Sequence, residues 1–155
     1  MSDSIDVLHM RRAVALTAHC PDLPFGSVIV HAPTGRVVAE GWNRTEENPL
    51  LHGEVDALTA LHRGGWRGDT ADLTLYTTAE PCPMCMAAIL YSGIGRVVYG
   101  TSIRFLLDTG WEQIDLPAAE VVRRADGWRC ELVGGVLQEE CDDLFLAVSR
   151  AAPGR

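Results

Sequence analysis

Apolar positions recur along this chain in two rhythms, one of helical spacing and one of strand-like runs rich in branched residues. Near the start, Val7, Leu8, Met10, Arg11, Val14, Ala15 and Ala18 form a stripe at helical spacing, with Ser4 or Ser2 as its cap. Pro21 and Pro24 end that helix. Two β-branched runs follow, FGSVIVHA and RVVAEGWN, and Pro33-Thr34-Gly35 between them supplies the turn of a hairpin. Residues 44–51 are polar and read as a loop. A second helix opens at His52 and stops at Gly64-Gly65.

The run from Asp72 to Thr78 is a strand with apolar residues on both faces. Cys82 to Tyr91 is a third helix, halted by Ser92-Gly93, and Arg96 to Gly100 is another strand. A helix between two β-runs is a crossover, which predicts a parallel pair with a right-handed connection. From Thr101 to Leu116 no period survives the Gly, Pro and acidic residues. Pro117 stands at the first turn of a short helix, AAEVVRRA. Cys130 to Leu137 is a fifth strand interrupted by Gly134-Gly135, and Gln138 to Arg150 is an amphipathic closing helix. Five strands covered by helices predict a three-layer α/β fold, one domain over residues 1–155.

Charge narrows the partners. Twenty-one acidic residues stand against 13 basic ones, every one of them arginine, for a net charge of −8. Binding through phosphates needs clustered cations, so a broad nucleic-acid-gripping face is not expected. The opening residues lack a secretory pattern, and no apolar run approaches the ~18 residues that span a bilayer. Five cysteines without a signal segment predict a reducing, cytoplasmic setting and no membrane association. There a Cys-x-x-Cys pair serves metal or redox chemistry.

Two short motifs carry that chemistry: His52-Gly53-Glu54 and Pro81-Cys82-Pro83-Met84-Cys85. Cys82 and Cys85, three apart at a helix start, put both sulfurs on one face. The positive end of the helix favours the thiolate that zinc requires, and a proline costs little there. His52 adds a nitrogen ligand from a second helix start. Three protein ligands leave one tetrahedral position open, the mark of a catalytic zinc, one Zn2+ per chain. Glu54, at the first turn of its helix, converges on the same pocket. It would take a proton from zinc-bound water, whose pKa falls to about 7, and the hydroxide would attack an amino-bearing ring carbon. A structural zinc is the competing reading. It needs a fourth ligand from His19, Cys20, His31, His62, Cys130 or Cys141, and a redox pair would need neither His52 nor Glu54.

The two motifs in this order match the H-x-E…P-C-x-x-C signature of zinc nucleobase deaminases. From Pro24 to about Val148 the chain resembles the cytidine-deaminase-like superfamily, through PFGSVIV, GWN, HGE, LYTTAEPCPMC and GIGRVVYG. Within it the pattern is that of the purine, cytosine and tRNA-adenosine deaminase branch. The resemblance implies a central five-stranded mixed sheet between helices and a homodimer. It implies that Asn43 hydrogen-bonds substrate and that Phe25 walls the pocket. Gly53 departs from the Ala of many relatives, while fungal-type cytosine deaminases share HGE.

The substrate class divides the branch. A tRNA enzyme needs basic residues near its last helix, yet here that helix carries Glu139, Glu140, Asp142 and Asp143 against Arg150. Arg123, Arg124 and Arg129 are the only nearby basic group. A small free nucleobase or nucleoside is therefore the expected substrate. Residues 108–112 resemble an acidic stretch of guanine-deaminase-like proteins, which makes Asp108 the specificity carboxylate and Trp111 a lid aromatic. A guanine-like purine is favoured over cytosine or another aminoheterocycle. tRNA adenosine is the alternative substrate, and a zinc-stabilised interaction module the non-enzymatic one.

Overall fold

The computed structural model describes residues 4–151. Helix α1 (Ile5–Leu16) is capped by Ser4, whose hydroxyl accepts the Val7 N–H at 3.3 Å; Ser2 lies outside the described residues. The buried face of α1 is His9, Met10, Ala13 and Leu16, displaced from the expected stripe, and Leu8 is 58% exposed. Apolar residues surround this helix, so periodicity alone could not choose its inner face. The partners chose it: Val28, Val30 and Tyr76 of the sheet take Met10 and Ala13.

Strands β1 (Gly26–His31) and β2 (Arg36–Trp42) form the hairpin, with a bulge where Ile29 pairs Ala39 and Val30 pairs Val37. Helix α2 (Gly53–Arg63) leads to β3 (Leu73–Ala79), every residue of which is buried. Helix α3 (Pro83–Tyr91) then crosses to β4 (Arg96–Thr101), parallel to β3. The sheet order is β2-β1-β3-β4-β5, antiparallel on its first half and parallel on its second. Alternation along each strand feeds two cores. Ile29, Leu73, Leu75 and Val97 pack against α2, α3 and the short α5 (Ala118–Arg123). Val28, Val30, Tyr76 and Val98 pack against α1 and toward α6 (Gln138–Ala151). This is the expected three-layer α/β/α arrangement around a five-stranded mixed sheet.

Two stretches differ from expectation. Residues 101–116 contain a helix, α4 (Ile103–Asp108), started by Ser102, whose hydroxyl accepts the Phe105 N–H. Strand β5 is only Glu131–Val133, shorter than the expected 130–137. At Gly134 any Cβ would meet the Tyr99 ring at 2.6 Å, and Gly135 has φ +79°, so the chain leaves the sheet and turns into α6.

Candidate active site

The site gathers where α2 and α3 begin, beneath the ends of β1 and β3. His52 caps α2 in an extended conformation (φ −63°, ψ 160°), and Cys82 caps α3 in nearly the same one (φ −63°, ψ 167°). Both helix starts therefore aim their partial positive charge at one place. A ring nitrogen of His52 and the Sγ atoms of Cys82 and Cys85 lie within 4.8 Å of one another, with Cys82 Sγ 3.5 Å from His52 Nδ1. Tetrahedral zinc, with Zn–S of about 2.3 Å and Zn–N of about 2.05 Å, would hold a sulfur and a nitrogen roughly 3.6 Å apart. The donor set fits.

The protonation of the two thiols supports the same fit. A hydrogen bond from Cys85, with His52 beside it, holds the Cys82 thiol down at about 4, while Cys82 and burial push Cys85 far up. Two sulfurs aimed at one point cannot both shed their protons unless a cation joins them. Among the described residues no fourth histidine, cysteine or carboxylate completes this cluster. Three of the alternative ligands are engaged elsewhere: His19 stacks on Trp42, His31 Nδ1 faces Thr34 at 2.8 Å, and Cys141 packs beside Gly100. A three-ligand site leaves a coordination position for a reactant.

Glu54 sits on the first turn of α2 and is 3% exposed. Burial raises its pKa, and a 2.6 Å hydrogen bond donated by Thr77 to its Oε1 partly offsets this. Ser27 in turn donates to Thr77 at 3.2 Å, so β1 and β3 orient the carboxylate through two hydroxyls. Neither hydroxyl was singled out from the sequence. Ser27 is the only hydroxyl of β1, but Thr77 shares the wholly buried β3 with Thr74 and Thr78, so the sequence did not set it apart.

His52, Glu54 and Cys82 open onto a cavity of about 400 Å³, within the usual range for small ligands. Asn43 and Phe25 form one wall. Asn43 Oδ1 accepts from the Thr45 N–H (3.1 Å) and hydroxyl (2.8 Å), which leaves its amino group as the donor to offer. Phe25 packs edge to face on Trp111 (5.9 Å) and against Phe145 (5.0 Å). Trp111 and Glu112 also line the cavity.

Asp108 does not line the cavity. It ends α4, lies four residues after Arg104, and pairs with that guanidinium at 3.1 Å, its side chain 62% exposed. Helical winding turned it outward. Gly110, at φ +91°, then reverses the chain, and Glu112, itself exposed, lines the cavity. The acidic group there is Glu112, four residues later than expected, and the unforeseen helix α4 is the reason.

Cys82, Cys85, His52 and the buried Glu54 thus converge in a mixed α/β fold as a three-ligand metal site beside a carboxylate. The chain belongs to the family described as the cytidine and deoxycytidylate deaminase zinc-binding region, whose sequence model matches residues 1–101.

Among its relatives is a tRNA-specific adenosine deaminase of Bacillus subtilis, 32% identical over 154 residues (94% of this chain, 89% of that protein). Another is a guanine deaminase of Bacillus subtilis, 34% identical over 125 residues (72% of this chain, 78% of that protein). The chain spans less of other relatives: 57% of a tRNA-specific adenosine deaminase of Rickettsia bellii and 9% of a chloroplastic tRNA(adenine(34)) deaminase of Arabidopsis thaliana. The solved structure of a guanine deaminase from Nitrosomonas europaea shares the fold, with a TM-score of 0.81 at 19% identity over 93% of this chain and 84% of that one.

Proposed function

We propose that the chain is a zinc-dependent hydrolytic deaminase of a small nucleobase or nucleoside, with a guanine-like purine as the favoured substrate. One observation carries the reading: a buried carboxylate, Glu54, shares a small cavity with three convergent metal-ligand atoms. His52, Cys82 and Cys85 hold the metal. Zinc, when bound, supplies a Lewis acid that makes water a nucleophile near neutral pH. Glu54 accepts a proton from the attacking water, passes it to a ring nitrogen, and later delivers the second proton to the departing amine. Water and an exocyclic amine thus become a ring carbonyl and ammonia. Thr77 fixes the Glu54 oxygen at each exchange. Asn43 donates to the substrate, and Phe25 and Trp111 enclose its faces.

The cavity favours a small neutral base. Glu54, Glu80 and Glu112 line it, and among the described residues no arginine does. Two of the three arginines near the closing helix are engaged: Arg123 and Arg124 both bond Glu120, at 2.6 and 2.9 Å. A tRNA adenosine substrate is the second reading, favoured by the near full-length similarity to the Bacillus subtilis tRNA-specific adenosine deaminase. All five cysteines are unbridged, which supports a cytoplasmic setting, and no described helix is long and apolar enough to cross a membrane. The homodimer is a proposal supported by an exposed aromatic pair, Tyr91 and Trp128.

The test is ammonia release from guanine, cytosine, adenine and their nucleosides, with a tRNA anticodon stem-loop as a further arm. Guanine turnover is expected, with stem-loop binding no tighter than about 10⁻⁴ M at physiological salt. The Glu54→Ala variant should keep one zinc per chain and lose about 10²–10⁴-fold in kcat. Full activity in that variant would falsify the proton-shuttle role. Stem-loop deamination without base turnover would replace the favoured substrate.

A further inference from the structure

Glu80 follows β3 and stands two residues before Cys82. It is 8% exposed, and among the described residues it forms no ion pair with a cation. Its own N–H donates to the Thr101 carbonyl at 2.7 Å, so its backbone is locked to the end of β4. Its two carboxylate oxygens have separate partners. Oε1 accepts the N–H of Ile103 at 3.0 Å, and Oε2 accepts the N–H of Ala118 at 2.7 Å.

Ile103 and Ala118 are the first residues of α4 and α5. The N–H groups at helix starts have no partner within their own helix. Glu80 thus satisfies one orphan donor from each helix with a single side chain. Between α4 and α5 runs the segment 109–117, which contributes Trp111, Glu112 and Gln113 to the cavity wall. Glu80 holds both ends of that segment and anchors them to the end of β3 that leads into the metal-ligand turn.

We propose that Glu80 is a positioning residue, a two-point clamp that sets the 109–117 wall over the metal-ligand end of the cavity and so governs how well a base binds. This rests on the deaminase reading of the same cavity. The chemistry demands a carboxylate. Two converging N–H donors need two acceptor oxygens, whereas an amide would turn its NH2 toward one of them. A buried N–H left facing another donor is unsatisfied and drives the wall to move.

The test compares zinc-loaded wild type with Glu80→Gln. It reads amide hydrogen exchange at Ile103 and Ala118, zinc content, and the separate KM and kcat for ammonia release from guanine. The variant should exchange at least one of these amides roughly tenfold faster and keep its zinc. Its KM should rise about tenfold, well beyond any fall in kcat. Wild-type exchange rates together with an unchanged KM overturn the proposal. So does a loss of zinc in step with kcat at constant KM, since Glu80 would then act on the metal end and not on the wall.

If Glu80→Gln does not fold, wild-type exchange decides alone. Ile103 and Ala118 should be protected like the amides of β3, and exchange as fast as at Ile114 sinks the clamp. A wild type that deaminates no base defeats the functional reading, while the exchange data still decide the clamp.

Discussion

Burial acts in opposite directions on Glu54 and His9. Each is about 95% or more removed from solvent, which raises a carboxyl and lowers an imidazole, because both lose the hydration of their charged forms. Glu54 gains a hydroxyl partner and a cavity. His9 gains the Tyr76 ring at 5.1 Å and the nearby Asp6 charge, which offsets burial only in part, and its Nε2 has no hydrogen-bond partner among the described residues. His9 therefore bears on stability. Its folded pKa lies below the ordinary 6.5, so below pH 6.5 the unfolded chain takes up the proton first. Its stabilising share is full above that pH and is lost as pH falls toward the depressed value. In urea titrations, wild type should lose ground to His9→Phe between about pH 6.5 and 5, and parallel curves would refute this. The sequence could not mark His9, since a histidine among apolar and charged neighbours looks like surface until a sheet is laid against it. The cluster of His52, Cys82 and Cys85 was legible because metal ligation forces residue type and spacing together. Asp108 and Glu112 were not separable, because which carboxylate borders the cavity depends on the winding of α4.

Helix α2 reaches the sheet through two glycines. A Cβ at Gly53 would stand 2.7 Å from the Phe25 carbonyl oxygen and 3.2 Å from Ser27 Oγ, and one at Gly41 would collide with the Ala57 backbone. The close approach seats His52 and Glu54 over β1 and β3. Gly53→Ala should force the start of α2 outward and cost about 1–3 kcal/mol, read as a lowered urea midpoint. Zinc affinity should fall with it, because His52 is displaced while the cysteines stay in place. Unchanged zinc affinity would mean that the helix shifts elsewhere. Most elements were readable from pattern and punctuation: the hairpin from its Pro-Thr-Gly turn, α2 and α3 from their glycine stops, the parallel crossover from order alone. Helix α4 was hidden because six residues are too few to show a period. The shortened β5 was hidden because Gly134 ends it through contact with Tyr99, a neighbour distant in sequence.

At 155 residues the chain buries apolar clusters on both faces of its sheet, enough core to fold without a metal staple, so zinc is expected to serve the site and not the scaffold. Chelation should abolish ammonia release and leave the far-ultraviolet circular dichroism unchanged. Tm should fall by on the order of 10 °C relative to protein in free zinc 1,000-fold above Kd, where linkage is worth about 4 kcal/mol. Loss of the dichroism spectrum on chelation would make the metal structural. The ends of the sheet bear on a different question, what the folded protein does at high concentration. One border is β5, three residues long and closed off by two glycines. The other is β2, bent by the bulge opposite Ile29 and Val30 and carrying Arg36 and Glu40. Neither offers a long, flat, apolar template on which a neighbouring chain could add a strand. Fibre growth by sheet extension is thereby blocked at both borders while the fold is intact, so such growth requires the hairpin or α6 to come away first.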